Sequence, residues 1–222
     1  MTLLRNWTAG DYERSVRAGL FCGLAAALMY LVWSTLPLPS ALNVLFHVFF
    51  GVLLVPGFLA IGLRVQETRP STAALFGTLL GMIAGPFFAA MTIVQMSNIV
   101  YIHRFIAEAS DPASRRAFQQ ILRGVFTVQL GLDIVWDVFV TTGTILIAGA
   151  MVLNRGWSRL LGVLGIAAGG LTLVLNLHTM PVPPAEAGLF DAGPLTGAWY
   201  LVVVSWLLWK SWWPMQPAAA RG

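Results

Sequence analysis

Six apolar runs set the limits on what this sequence can fold into: Val16–Leu36, Leu42–Leu63, Ala73–Val100, Val125–Val152, Leu160–Leu177 and Leu195–Trp209. A helix that crosses a bilayer takes about 20 apolar residues, and the runs approach or exceed that length. None alternates with period two, as barrel strands do. The chain is 58% hydrophobic and 10% charged, whereas soluble domains are about 45–50% apolar and about 25% charged. The expectation is an all-α polytopic membrane protein: six transmembrane helices in one bundle, a single domain over residues 1–222.

Charge and cysteine usage exclude several classes. The net charge is +4, and Lys210 is the only lysine. The basic residues fall between apolar runs, which points to membrane orientation rather than to nucleic acid. A lysine at the end of the last run is badly placed for a mid-membrane Schiff base. Cys22 is the single cysteine, so neither an internal disulfide nor a cysteine metal cluster is available; it reads as a small buried hydrophobe. The first run is longer than the apolar stretch of a signal peptide, and Pro37-Leu38-Pro39 follows it in place of a small-x-small cleavage site. It reads as a retained span.

Counting basic residues gives an orientation. With the N-terminus inside, cytoplasmic segments hold Arg5, Arg14, Arg17, Arg64, Arg69, Arg155, Arg159, Lys210 and Arg221, and the outer side holds Arg104, Arg115, Arg116 and Arg123. The positive-inside rule then puts both termini in the cytoplasm. The third loop, His103–Arg123, dissents. Within it Ser114–Arg123 carries Phe118, Ile121 and Leu122 on one side and Arg115, Arg116, Gln119 and Arg123 elsewhere. That pattern predicts a short amphipathic helix on the surface, started by Asp111-Pro112.

Small residues predict close helix packing. Gly77, Gly81 and Gly85 recur at i+4, as do Gly19 and Gly23, and Gly165 and Gly169; such ridges let helices approach in lipid. Pro56 and Pro86 are expected to kink the second and third spans. Trp199, Tyr200, Trp206, Trp209, Trp212 and Trp213 flank or line the last span as interfacial anchors. No inverted repeat relates the two halves.

The strongest chemical signal is in the fourth run. Gln129, Asp133, Asp137 and Thr141 fall at successive i+4 positions, on one face of a helix. Counted from Gly124 at about 1.5 Å per residue, Asp133 lies about 14 Å in and Asp137 about 20 Å in. A carboxylate at that depth costs several kcal/mol unless it is paired, hydrated or protonated, and each raises the cost of ionising the other. Such residues mark a functional site or a network that locks helices together. His47, Gln95, Asn98, Asn176 and His178 lie towards the outer ends of their runs, and the inner half is poor in polar groups. The asymmetry predicts a polar cavity open to the outer face, with the aspartates towards its floor. The last outer loop, His178–Pro194, is stiffened by Pro181, Pro183 and Pro184. Its Asp191 reads either as a cap for the last helix or as a group hanging over the cavity.

Other chemistries lack signatures. His47 and His178 are single residues with no metal-ligand spacing, so no metal is assigned. A haem between them has only their shared depth in its favour. No nucleophile elbow, phosphate loop or dinucleotide fingerprint is present, and the sequence names no cofactor.

One stretch carries a resemblance. Gly156-Trp157-Ser158-Arg159-Leu160-Leu161-Gly162 through Asn176, then Pro181-Val182-Pro183-Pro184, Phe190-Asp191-Ala192-Gly193-Pro194 and Gly197-Ala198-Trp199-Tyr200, resembles a bacterial family of six-helix integral membrane proteins of unknown function. The similarity runs over roughly residues 154–210. It implies six membrane helices and a bacterial cytoplasmic (inner) membrane, and carries no catalytic residues. Three functional classes stay open. One is a cavity that binds, or transforms, a small lipophilic or cationic ligand, with Asp133, Asp137 and a histidine as counter-ions or proton relay. Another is a non-catalytic subunit or assembly factor of a membrane complex. The last is a proton- or cation-coupled carrier, which in six spans calls for a homodimer joined at the glycine ridges.

Overall fold

The computed structural model describes residues 8–212. Arg5, Trp213 and Arg221 lie outside the described residues. Six helices follow one another: α1 (Ala9–Thr35), α2 (Ser40–Thr68), α3 (Thr72–Glu108), α4 (Pro112–Val152), α5 (Trp157–Thr179) and α6 (Gly193–Trp212). No strand occurs among the described residues. The first five helices are long and apolar enough to cross a membrane, which makes this an integral membrane protein. In α6, Trp199, Tyr200, Trp206, Trp209 and Lys210 dilute the apolar run.

Local chemistry starts these helices where the sequence supplies caps. Thr8 and Asp11 form a reciprocal capping box on α1: the Thr8 hydroxyl accepts from the Asp11 N–H at 3.1 Å, and the Asp11 carboxylate accepts from the Thr8 N–H at 3.0 Å. Asp111 caps α4, accepting from the N–H groups of Ala113 and Ser114, both at 2.9 Å. Pro112 occupies the first turn, where a missing N–H costs nothing. Both α2 and α3 continue through their prolines, Pro56 and Pro86.

The third loop departs from the expectation. There is no separate surface helix: Ser114–Arg123 forms the opening turns of α4, and α3 runs on to Glu108. The amphipathic pattern is real, but the segment belongs to a hairpin, with Phe118 stacked on Phe105 of α3 at 5.6 Å and Ile121 left exposed. At about 1.5 Å per residue α3 and α4 reach about 55 and 60 Å, against about 35–45 Å for α1, α2 and α5. The hairpin therefore outreaches the rest of the bundle. The helix starts at Pro112, twelve residues before Gly124. Measured from the other end, Asp137 lies about 22 Å and Asp133 about 28 Å along the axis from Val152.

The six helices close a ring. Each packs on the next in sequence, and α6 returns to α1. Glycines set the closest crossings. A Cβ at Gly77 would stand 2.7 Å from the Gly143 carbonyl oxygen of α4, and one at Gly19 would stand 2.7 Å from the Pro56 carbonyl oxygen of α2. Gly165 lies against the Trp199 ring, and Gly85 against Gly51. These ridges are filled by helices of the same chain.

One end of the ring is bound by ions. Arg64 of α2 pairs with Glu13 of α1 at 2.5 Å and with Glu67 at 3.0 Å. Arg17 pairs with Glu13 at 2.9 Å and donates to the Ser211 carbonyl of α6 at 2.8 Å. Asn154, after α4, donates to the Thr68 hydroxyl at 3.3 Å. The opposite end is aromatic. Between them Leu20, Ile61, Ile147, Val203 and Val204 are fully buried and form an apolar layer across four helices.

Candidate functional site

A cavity of about 670 Å³ opens at the aromatic end, inside the ring. Every helix except α5 lines it. From α1 come Tyr30, Trp33 and Ser34; from α2, His47, Phe50 and Phe58; from α3, Phe88, Thr92 and Gln95. Asp133, Trp136, Asp137, Val140 and Thr144 come from α4, and Asp191, Thr196 and Tyr200 from the start of α6 and the residues before it.

Helical periodicity explains the α4 wall. Asp133, Asp137, Val140 and Thr144 follow i, i+4, i+7 and i+11 spacing, which keeps one face inward. Thr141, expected on that face, is instead fully buried, and its hydroxyl donates to the Asp137 carbonyl at 2.5 Å. Gln129, the other outlier, is half-buried and does not line the cavity. The ideal i+4 series drifts by about 40° per step, which carries Thr141 off the inward face, and Gln129 stands a full turn beyond Asp133 along the axis.

The walls are aromatic planes in contact. Trp33 stacks on the His47 ring at 4.0 Å between centroids and 12° between planes. Its other aromatic neighbours are Phe50 at 5.0 Å and Tyr30 at 5.2 Å, both edge-on, and Phe88 at 5.6 Å. Phe88 also meets Phe50 at 4.6 Å and Trp136 at 5.0 Å, both edge to face. The His47 Nδ1 lies 2.7 Å from the Asn43 carbonyl oxygen one turn back, which orients the ring and leaves its faces to Trp33.

The charges are one-sided. Three carboxylates line the cavity, those of Asp133, Asp137 and Asp191, and no lysine or arginine does. Among the described residues no ion pair or hydrogen bond engages the Asp133 or Asp137 carboxylates. Asp191 has two attachments at once: its Oδ1 accepts from the Gly193 N–H at 2.9 Å at the start of α6, and its side chain also lines the cavity. Two further hydroxyls, of Thr144 and Tyr200, are buried without a partner among the described residues. Buried polar groups of this kind are scarce, since each costs about 1–3 kcal/mol. Both side chains line the cavity's inner part.

Of the polar residues singled out in the sequence, His47, Gln95, Asp133, Asp137 and Asp191 meet around this cavity. Gln129, Asn98, Asn176 and His178 do not. The Asn98 amide donates to the Val94 carbonyl of its own helix at 2.6 Å. Asn176 is buried and donates to the Thr172 carbonyl at 3.0 Å, and His178 is exposed. The reason for the last two is topological: α5 stands behind α4 and α6. Its polar side faces α6, where the Thr172 hydroxyl meets the Ala192 carbonyl and the Thr196 hydroxyl, both at 2.9 Å.

Sequence reading missed the aromatic wall and the hydroxyl floor. Tyr30 and Trp33 stand three apart, and Trp136 stands between the two aspartates. Those spacings share a helix face with the polar residues and carried the signal. It also missed a second cavity, of about 930 Å³, at the ion-paired end; that end is not poor in polar groups. Among the described residues no group of three or more His, Cys, Asp or Glu is placed to hold a metal ion. The chain matches no family model, no curated protein and no solved structure.

Proposed function

We propose that this membrane protein binds a small lipophilic cation in the aromatic-end cavity. The observation that carries the reading is the cavity lining: three carboxylates, no lysine or arginine, and walls of stacked indole and phenyl rings. Aromatic faces attract cations through the ring quadrupole, by about 0.5–2 kcal/mol each. Carboxylates without a protein counter-ion supply the net charge. A bound cation offsets the cost of an unpaired carboxylate among apolar walls, and its apolar part covers the rings.

In this reading all six helices cross the bilayer, with the two aspartates inside the outer half of the membrane. Arg14, Arg17, Arg64, Arg69, Arg155, Arg159 and Lys210 belong to the ion-paired end, which the positive-inside rule assigns to the cytoplasm together with both termini. The cavity mouth and the α3–α4 extension then face outward. The resemblance of residues 154–210 to a bacterial six-helix family supports a bacterial cytoplasmic membrane as the location.

A carrier is disfavoured by charge. A cation leaving through the opposite end would meet Arg17, Arg64, Arg155 and Lys210 there, beyond the buried layer of Leu20, Ile61, Ile147 and Val203. A subunit held together by its polar groups is disfavoured by the free carboxylates, since a locking network consists of made hydrogen bonds.

The test is equilibrium binding of tetraphenylphosphonium to the purified protein in lipid nanodiscs, with neutral triphenylphosphine oxide as the matched control. Saturable binding of the cation, absent for the neutral analogue, supports the reading. Equal binding of both, or binding of neither, refutes it.

A further inference from the structure

The second cavity, at the ion-paired end, has the opposite charge from the first. Its lining carries Arg17, Arg64, Arg155 and Lys210 against Glu13 and Glu67, an excess of cations. The two carboxylates are already used, Glu13 by Arg17 and Arg64 and Glu67 by Arg64. Among the described residues Arg155 makes no ion pair, and Lys210 has only the face of Trp206, 5.5 Å from its ammonium. Two cations, one from the α4–α5 connection and one from α6, therefore face one space without an anion.

Two other features agree with an anion there. Gly156, Trp157 and Ser158, the start of α5, line the same cavity. Gly156 precedes the helix at φ 65° and brings no side chain to cap it, so the positive end of the α5 dipole opens towards the cations. Val65, Met151, Trp206 and Leu207 give the cavity an apolar side, and Thr68, Asn154 and Ser211 complete its lining. At the rim Trp157 is 67% and Trp209 62% exposed, as aromatic side chains are at a membrane interface. A free inorganic anion has no use for such a rim, whereas acyl chains do.

We propose that this cavity binds the phosphate headgroup of an anionic diacyl phospholipid, with Arg155 and Lys210 as its direct counter-ions and the tryptophan rim against its chains. Basic pockets between membrane helices recognise anionic headgroups in this way. The Glu13–Arg64–Arg17 cluster forms the back wall and keeps α1, α2 and α6 in register behind the phosphate.

Native mass spectrometry of the whole protein, with equal phosphatidylglycerol and phosphatidylcholine added, tests the proposal. The expected result is retention of phosphatidylglycerol over phosphatidylcholine by about tenfold. That preference falls severalfold in Arg155→Gln and again in Arg155→Gln with Lys210→Gln, and is unchanged in Arg115→Gln with Arg116→Gln on the distant hairpin. Equal retention of the two lipids overturns the proposal, as does a preference that survives the double substitution. Displacement of phosphatidylglycerol by millimolar inorganic phosphate overturns the lipid assignment in favour of a free anion. A measurement on the unaltered protein guards against variants that fail to fold. Brominated phosphatidylglycerol should quench tryptophan fluorescence at lower mole fraction than brominated phosphatidylcholine, and identical quenching curves count against the site.

Discussion

Asp137→Asn removes one negative charge from the cation cavity and keeps the side chain's shape. Asp133 and Asp137 sit one turn apart, about 6 Å along the axis, so a cation held between them lies about 5 Å from each carboxylate. At an effective dielectric of about 20, one such pair contributes about 3 kcal/mol. The site opens to solvent, so part of that is screened, and about 2 kcal/mol is the expected loss. That is roughly a 30-fold weaker Kd for tetraphenylphosphonium. Asp133→Asn should lose a similar amount, and the double substitution more than either. The assay is equilibrium dialysis in nanodiscs, with size-exclusion profile and thermal midpoint as controls for folding. Neither carboxylate makes a hydrogen bond to the described residues, so both single variants should fold with a thermal midpoint close to that of the unaltered protein. An unchanged Kd in a folded variant would refute the electrostatic argument. Loss of folding would refute it differently, by showing that the carboxylates hold the helices in register.

Trp33→Ala should weaken tetraphenylphosphonium binding by about three- to tenfold, since it removes an indole that lines the cavity and holds the His47 ring in place; unchanged binding would exclude the aromatic wall from the site. Trp199→Phe should lower the thermal midpoint while leaving cation affinity alone. The buried indole N–H donates to the Leu161 carbonyl at 2.7 Å, and losing such a bond costs about 1–3 kcal/mol. Gly77→Leu should abolish a monodisperse product, because even a Cβ there would meet the Gly143 carbonyl oxygen at 2.7 Å and the Ile147 backbone nitrogen at 2.9 Å; a well-folded variant would mean that α3 and α4 do not cross at these glycines. In a Cys22→Ser background, Ser114→Cys and Arg155→Cys should react with a membrane-impermeant maleimide from opposite faces of sealed vesicles. Labelling from one face would overturn the six-span orientation.

How much of this was readable without coordinates differs between fold and site. The number of helices and their rough extents follow from the apolar runs, because a backbone in lipid has no partner but itself. The capping residues Thr8 and Asp111 mark helix starts by local hydrogen bonds, which depend only on neighbours in sequence. The α3–α4 extension was misread because Ser114–Arg123 has the same amphipathic pattern whether its apolar face meets lipid headgroups or Phe105 of the preceding helix.

The site divides along the same line. The spacing of Asp133 and Asp137 determines by itself that they share a helix face, since 3.6 residues per turn is a local property of the chain. Which polar residues join them was decided by the ring closure of α6 on α1. That closure brings Asp191 and Tyr200 to the cavity and leaves α5, with Asn176 and His178, behind the wall. Residues at one depth on different helices are equivalent in sequence. Only the order of the helices around the ring, which close packing at Gly19, Gly77 and Gly165 enforces, determines which of them face one another.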